Sequence, residues 1–217
     1  TATITVEGKG GYKLNAVNTF KIVPAKLSAT LDSQVAVKGG TYNYTGEAIE
    51  PQLTFTAKDD EYKLVKDVDY KVEYSDNINA GTNTAKVKLV GLGNYAGTLT
   101  TDAEKNMVSN TFSIAETLIR DTDISATDTA YAGGITVTPN ITINNQYSNK
   151  ALVAGTDYTV EVTKGGVNVG QAEAKIKLTS AAANNYDLVG AKATEYTVNF
   201  NVTALNLSNA TISPIAD

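Results

Sequence analysis

The stretch TATITVEGKGGY at residues 1–12 returns as TAKVKLVGLGNY at residues 84–95, an offset of 83. Further landmarks recur later in the chain at a slightly longer spacing. Pro51 and Pro139, Tyr70 and Tyr158, and Phe112 and Phe200 are each 88 residues apart; Gly81 and Gly170 are 89 apart, and Tyr95 and Tyr186 are 91 apart. The drift falls between landmarks, where loops absorb insertions. A period of this length is that of one small domain, so the chain has to be read as a series of similar folding units.

The opening stretch is the back half of such a unit. Gly8, Gly10 and Tyr12 match Gly91, Gly93 and Tyr95, and NTFKI at 18–22 matches NTFSI at 110–114. LSATLDS after Lys26, LIRDTDISATD after Thr117 and LNLSNATISPIAD after Ala204 stand at one place in the cycle. The expected organisation is therefore residues 1–27 as the C-terminal half of a truncated unit, 28–117 as a complete unit, 118–204 as a complete and more divergent unit, and 205–217 as the first strand of another. Thr1 is read as an internal start and the chain as an excerpt of a longer array. Short linkers are expected around Pro24–Ser28, Ala115–Asp121 and Thr203–Ser208.

Alternation defines the elements. Ala2, Ile4 and Val6 alternate with Thr3 and Thr5; Ala85, Val87 and Leu89 with Lys86 and Lys88; Ala174, Ile176 and Leu178 with Lys175 and Lys177. Tyr70, Val72 and Tyr74 flank Lys71 and Glu73, and Tyr158, Val160 and Val162 flank Thr159 and Glu161. A period of two places one face of each strand in a core and the other in water. Short strands of this kind, set between Gly, Asn and Asp turns, predict an all-β chain of antiparallel sandwiches. No long segment holds a helical period; 109–120 comes nearest, and its match to NTFKI marks it as strand.

Tyr44-Thr45-Gly46, Ala48-Ile49-Glu50-Pro51, Asp69-Tyr70, Asn79-Ala80-Gly81-Thr82, Gly91-Leu92-Gly93-Asn94-Tyr95 and Phe112-Ser113-Ile114 occur in that order. This pattern resembles the immunoglobulin-like tandem repeats of large cell-surface proteins of Gram-positive bacteria, of the adhesin and surface-layer type. The resemblance covers nearly the whole chain and is strongest over 28–115. In the 118–204 unit, GGVNVG at 165–170 replaces the Asn-Ala-Gly-Thr signature, and the Gly-X-Gly before Asn185-Tyr186 is lost. The resemblance implies tandem Ig-like β-sandwiches in an exported surface protein, in a spacer or adhesive role, without a catalytic site.

Composition narrows the chemistry. The formal net charge is −5, with a single arginine, Arg120, and dispersed lysines, which argues against nucleic-acid binding. No apolar run reaches membrane-spanning length, so no membrane insertion is expected of this segment. The chain holds no Cys and no His, which excludes disulfides, thiolate metal sites and Cys- or His-based catalytic triads. Paired carboxylates such as Asp67 and Asp69, or Asp59, Asp60 and Glu61, are read as solvated turns rather than glycosidase pairs, and the chain is expected not to be an enzyme.

The remaining motifs are weighed in the same way. DNINAG at 76–81 reads as a hairpin turn in which Gly takes positive φ, because Ile78 occupies a position where a calcium loop needs oxygen. GKGGY and GLGNY lie between strands and so permit turns or bulges, not phosphate binding. DTDISATD at 121–128 is a solvated linker on the plain reading, with Asp121, Asp123 and Asp128 as the candidate ligands of a Ca²⁺ between neighbouring repeats; no other cofactor is expected. Tyr42, Tyr44 and Tyr62 are the candidate stacking residues for a glycan, against a plain role in cross-strand packing. Lys71, Lys86, Lys88, Lys175 and Lys177 fall on the polar parity of their strands, which disfavours a buried Lys–Asn cross-link. The sequons at Asn43, Asn140, Asn201, Asn206 and Asn209 are what an Asn- and Thr-rich chain produces by chance.

The expected function is a structural segment of a long extracellular bacterial surface protein: a stalk, fibre or surface-layer element whose partners are its own neighbouring repeats and further copies of itself. The alternatives are an adhesive module that holds a glycan or a host surface protein through loops at one sandwich end, and an Ig-like domain of a phage fibre or capsid decoration protein.

Overall fold

The structure, a computed structural model, describes residues 1–33, 35–58, 63–99, 111–206 and 208. Tyr62, the Asp59-Asp60-Glu61 run, the Asn209 sequon and all of the expected terminal strand beyond Asn206 except Ser208 lie outside the described residues. Among the described residues, regular structure is strand apart from three short 3-10 turns, the longest being Leu27–Thr30. The chain is all-β, as its period-2 alternation and its supply of β-branched residues and tyrosine predict.

Two compact units divide the chain. The first comprises Thr1–Gly40, Glu50–Ser75 and Lys86–Phe112, and the second Thr41–Ile49, Asp76–Ala85 and Ser113–Asp217. Two stretches of the 28–117 repeat, 41–49 and 76–85, thus belong to the second unit.

In the first unit, strand Tyr70–Ser75 pairs antiparallel with the 86–91 part of strand Gly81–Gly91, Tyr70 opposite Gly91 and Ser75 opposite Lys86. Thr98–Leu99 also pairs antiparallel with that strand, Ala36–Val37 pairs with Leu53–Thr54, and Ala25–Lys26 runs parallel to Tyr95–Ala96. The inward residues Val87 and Leu89 meet Leu27, Val35 and Leu99, with Phe55, Tyr70, Val72 and Tyr74 packed around them. Lys86 and Lys88 point to solvent, as their parity requires.

The hairpin of Ala2–Glu7 and Asn15–Phe20 behaves differently. Ala2 lies opposite Phe20, Ile4 opposite Asn18 and Val6 opposite Ala16, so these six residues share one face. That face is expected in a core, yet Ile4 is 53% and Val6 52% exposed. Alternation makes the face apolar, but burial requires a second layer, and among the described residues none covers Ile4 and Val6. Its turn is nevertheless a copy of the one 83 residues later. Gly8 N–H donates to Leu14 O at 2.7 Å and Gly91 N–H to Gly97 O at 2.8 Å, while Tyr12 N–H donates to Lys9 O and Tyr95 N–H to Leu92 O. Gly10 and Gly93 both take positive φ, 70° and 58°, where a side chain would be strained.

In the second unit the main sheet runs Thr129–Ala130, Glu195–Thr203, Gly170–Leu178, Tyr158–Lys164. Ala172, Ala174, Ile176 and Leu178 face inward, and Lys175 and Lys177 reach the Glu195 carboxylate on the outer face. Ile124–Ala126 pairs with Ile141–Ile143. The core gathers Ile119, Ile143, Tyr158, Ile176 and Leu188 at one end and Ala172, Phe200 and Val202 at the other.

The offset of 88 recurs in local hydrogen bonds. Asp69 Oδ2 accepts Val65 N–H at 2.8 Å, and Asp157 Oδ2 accepts Val153 N–H at 2.7 Å. Asp67 N–H donates to Tyr70 O and Gly155 N–H to Tyr158 O, with Asp67 and Gly155 both at positive φ. Pairings recur too: Thr117–Ile119 runs parallel to Tyr186–Leu188 as Ala25–Lys26 does to Tyr95–Ala96.

Two local expectations are corrected. The 115–121 stretch is no loose linker: Thr117 and Ile119 are fully buried in a strand, and Thr117 Oγ1 donates to Tyr44 O at 2.7 Å. The β-branched residues face in and Leu118 faces out, so alternation, not turn chemistry, governs the segment. In DNINAG the positive φ belongs to Asp76, at 54°, while Gly81 opens a strand. Asn77 exchanges two bonds with Ile49, its N–H₂ donating to Ile49 O and its own carbonyl accepting Ile49 N–H, both at 2.9 Å.

Candidate functional site

The three carboxylates that the sequence clusters have separate partners. The 3-10 turn Asp121–Asp123 folds Asp123 back onto Arg120, whose Nε and Nη2 donate to it at 2.9 and 2.8 Å while the Arg120 N–H donates at 3.0 Å. This paired guanidinium holds the Asp123 carboxyl below the usual carboxylate range. Asp121 accepts the N–H of Thr122, and Asp128 accepts the N–H and side-chain N–H₂ of Asn201. Among the described residues no group of three His, Cys, Asp or Glu side chains stands where it could hold a metal ion.

Of the candidate tyrosines, Tyr44 packs against the core of the second unit. It meets Tyr186 edge to face, with centroids 5.0 Å apart at 86°, and burial raises the pKa of both phenols. Its backbone carbonyl accepts from Thr117 and Asn145. Tyr42 lies half-buried in strand Thr41–Asn43, beside Ile114 in parallel register. Tyr62 falls outside the described residues.

Lys71, Lys88, Lys175 and Lys177 serve carboxylates on their own sheets. Glu73 is held at a pKa of about 2, first by a hydrogen bond from Lys71 and then by one from Lys88, whose Nζ lies 2.7 Å away. A folded-state pKa below the unfolded value of about 4.3 contributes stability in full above about pH 4.3 and loses it as pH falls through about 2. The melting temperature of the first unit is therefore expected to fall more steeply between pH 4.3 and 2 in the native chain than in Glu73→Gln. Equal slopes in calorimetric scans at stepped pH would remove Glu73 from the acid response. Because the pair is solvent-exposed, the difference is small.

Two clefts sequence reasoning does not find. One, of about 710 Å³, lies in the second unit and is bordered by Asn79, Asn184, Asn185 and the ion pair of Glu116 with Lys192. Asn185, only 7% exposed, anchors it: Oδ1 accepts Ala80 N–H at 2.8 Å, and Nδ2 donates to Asn79 Oδ1 and Ala181 O. The Asn185 side chain thus ties Asn79, Ala80 and Ala181 together.

The second cleft, of about 280 Å³, lies in the first unit, between strand Tyr70–Ser75 and the segment that holds Leu53–Thr54. Tyr70, Val72 and Tyr74 come from the strand, Leu53 and Phe55 from the facing segment, and Glu50, Gln52 and Lys66 from the margin. Phe55 stands edge-on to Tyr70, at 5.4 Å and 81°, and the Tyr74 hydroxyl donates to Pro51 O. The sequence signal was present but ambiguous. Residues 70, 72 and 74 share the parity of a core face, and only comparison with the positions 88 residues on marks this place as unusual.

No helix among the described residues is long and apolar enough to cross a membrane. Compared with models of known protein families, with curated proteins and with solved structures, the chain matches none.

Proposed function

We propose that this chain is a structural segment of a long extracellular bacterial surface protein, built from tandem Ig-like β-sandwiches of about 88 residues and serving as a stalk, fibre or surface-layer element. Its partners are the neighbouring repeats of the same chain and further copies of itself. The observation that carries the reading is the way each repeat joins its ends. Thr41–Asn43 runs parallel to Ser113–Ala115, and Thr129–Ala130 runs parallel to Val202–Thr203. When an early strand and the last strand of a repeat are parallel neighbours, tension on the two ends slides one past the other. The ladder bonds are then loaded together rather than opened one by one, an arrangement suited to bearing tension. The recurrence of the same turns and pairings at a fixed offset adds support, because length in such an array grows with copy number.

The test is single-molecule stretching of the whole chain, held at both ends. Two separate force peaks are expected, each lengthening the chain by roughly 300 Å, the extended reach of one repeat at about 3.4 Å per residue. Smooth extension without peaks would overturn the mechanical reading.

A further inference from the structure

We propose that the cleft lined by Tyr70, Tyr74 and Phe55 binds a pyranose residue of a glycan. The inference goes beyond the mechanical role and does not depend on it. A sugar ring carries an apolar C–H face and a rim of hydroxyls, each both donor and acceptor. The cleft supplies a counterpart to each. Its walls are two phenol rings, a phenyl ring, Val72 and Leu53, and its margin holds a carboxylate (Glu50), a primary amide (Gln52) and an ammonium (Lys66). Glu50, Gln52 and Lys66 are exposed, so their polar ends are available at the mouth. Charges of opposite sign on one rim do not select a strongly anionic or cationic ligand, while an acceptor, a donor and an amide between them suit neutral hydroxyls. The volume of about 280 Å³ is near the lower end of ligand pockets, which begin at about 300 Å³. That is room for one or two sugar residues.

The rings are also held in place before any ligand arrives. The edge-on contact of Phe55 fixes the plane of Tyr70, and the bond to Pro51 O fixes Tyr74. Aromatic groups already immobilised lose little rotamer entropy on binding.

The second repeat is an internal control. At the positions 88 residues on, Thr138 stands for Glu50, Ile143 for Phe55, Ala154 for Lys66 and Val162 for Tyr74. Both charges and two of the three rings are gone, and the remaining ring, Tyr158, is 2% exposed with its hydroxyl donating to Ile141 O. Ile141 and Ile143 are buried beside it. The scaffold therefore closes at this place when aliphatic residues occupy it. The first repeat keeps it open with aromatic residues that also pack around the core of the first unit and with polar residues at the mouth.

The experiment is isothermal titration of the whole chain with soluble tetrasaccharides of the chitin, cellulose, mannan and xylan types. At least one is expected to bind with a Kd below about 1 mM. Phe55→Ile combined with Tyr74→Val installs the residues of the second repeat, which folds with them, and is expected to weaken that binding by about tenfold or more while cooperative melting persists. Should that variant melt without cooperativity, Glu50→Ala and Lys66→Ala carry the test. Both are exposed, and each is expected to weaken binding by at least about threefold. Silence of all four sugars towards the native chain overturns the proposal, and so does undiminished binding by the folded variants.

Discussion

Ile176→Ala is expected to destabilise the second unit by about 2–5 kcal/mol, whereas Ile4→Ala, at the same place in the cycle, is expected to change stability by no more than about 0.5 kcal/mol. Both residues are the middle apolar member of an alternating triplet, Ala174-Ile176-Leu178 in one case and Ala2-Ile4-Val6 in the other. Ile176 is fully buried among Ile119, Ile143, Tyr158 and Leu188. Removing three of its carbons leaves a void that a packed core relaxes into only in part, so a cavity cost adds to the lost transfer energy. Ile4 is 53% exposed beside Asn18, and its truncation opens no cavity. Val87, the counterpart in the first unit, is 2% exposed and belongs with Ile176. Denaturant melts of Ile176→Ala, Val87→Ala and Ile4→Ala, followed by a probe in each unit, check the ranking. A large effect at Ile4 would mean that its face is covered in solution, and a small effect at Ile176 would mean that the packing around it is loose.

That contrast shows where the sequence was legible. A strand's two faces follow from period 2 alone, so the inward set Ala85, Val87, Leu89 and the outward set Lys86, Lys88 follow from local pattern. Whether a face meets another layer depends on residues far away in the chain, which is why Ile4 and Val6 look like core in the sequence and are exposed in the fold. Buried Thr117 and Ile119 escaped for a related reason. Three residues are too few for an alternation to stand out beside the polar run that follows. At DNINAG the glycine drew attention as the residue of positive φ, but Asp tolerates the left-handed region as well, and the turn uses Asp76.

For the candidate sites, proximity in sequence misled in one place and was silent in another. Asp121, Asp123 and Asp128 are neighbours in the chain, but a 3-10 turn returns Asp123 to Arg120, and Asp128, in the connection between strands Ile124–Ala126 and Thr129–Ala130, binds Asn201. The aromatic cleft joins residues from 50 to 74 whose individual patterns are those of ordinary strands. Its signal lay in the difference between two copies of the repeat, Phe55 against Ile143 and Tyr74 against Val162. A repeat protein offers such a comparison within one chain, since positions that serve the fold alone have reason to match.

Asn185 gives the second large effect. Its alanine variant is expected to lose about 1–3 kcal/mol of stability in the second unit, the penalty for leaving a desolvated donor without an acceptor. The Asn185 side chain is nearly enclosed, and Oδ1 is the acceptor for Ala80 N–H at 2.8 Å. Truncation strands that N–H and also removes the donor that serves Asn79 Oδ1 and Ala181 O. The backbone role of the residue survives, because its carbonyl still accepts Thr117 N–H as Asn94 O accepts Ala25 N–H one repeat earlier. Loss should therefore concentrate at the 76–85 segment rather than at the Thr117–Ile119 strand. Asn185→Asp sharpens the assignment. It keeps an acceptor for Ala80 but turns an oxygen towards Asn79 Oδ1 and Ala181 O, so it should destabilise as well at neutral pH and recover in part when the carboxyl is protonated and can donate. Hydrogen exchange resolved by residue reads both variants. Faster exchange at Ala80 in the alanine form, with protection retained there in the aspartate form, identifies the side-chain bond as the tie. Unchanged exchange at Ala80 in the alanine form would show that its N–H does not depend on Asn185.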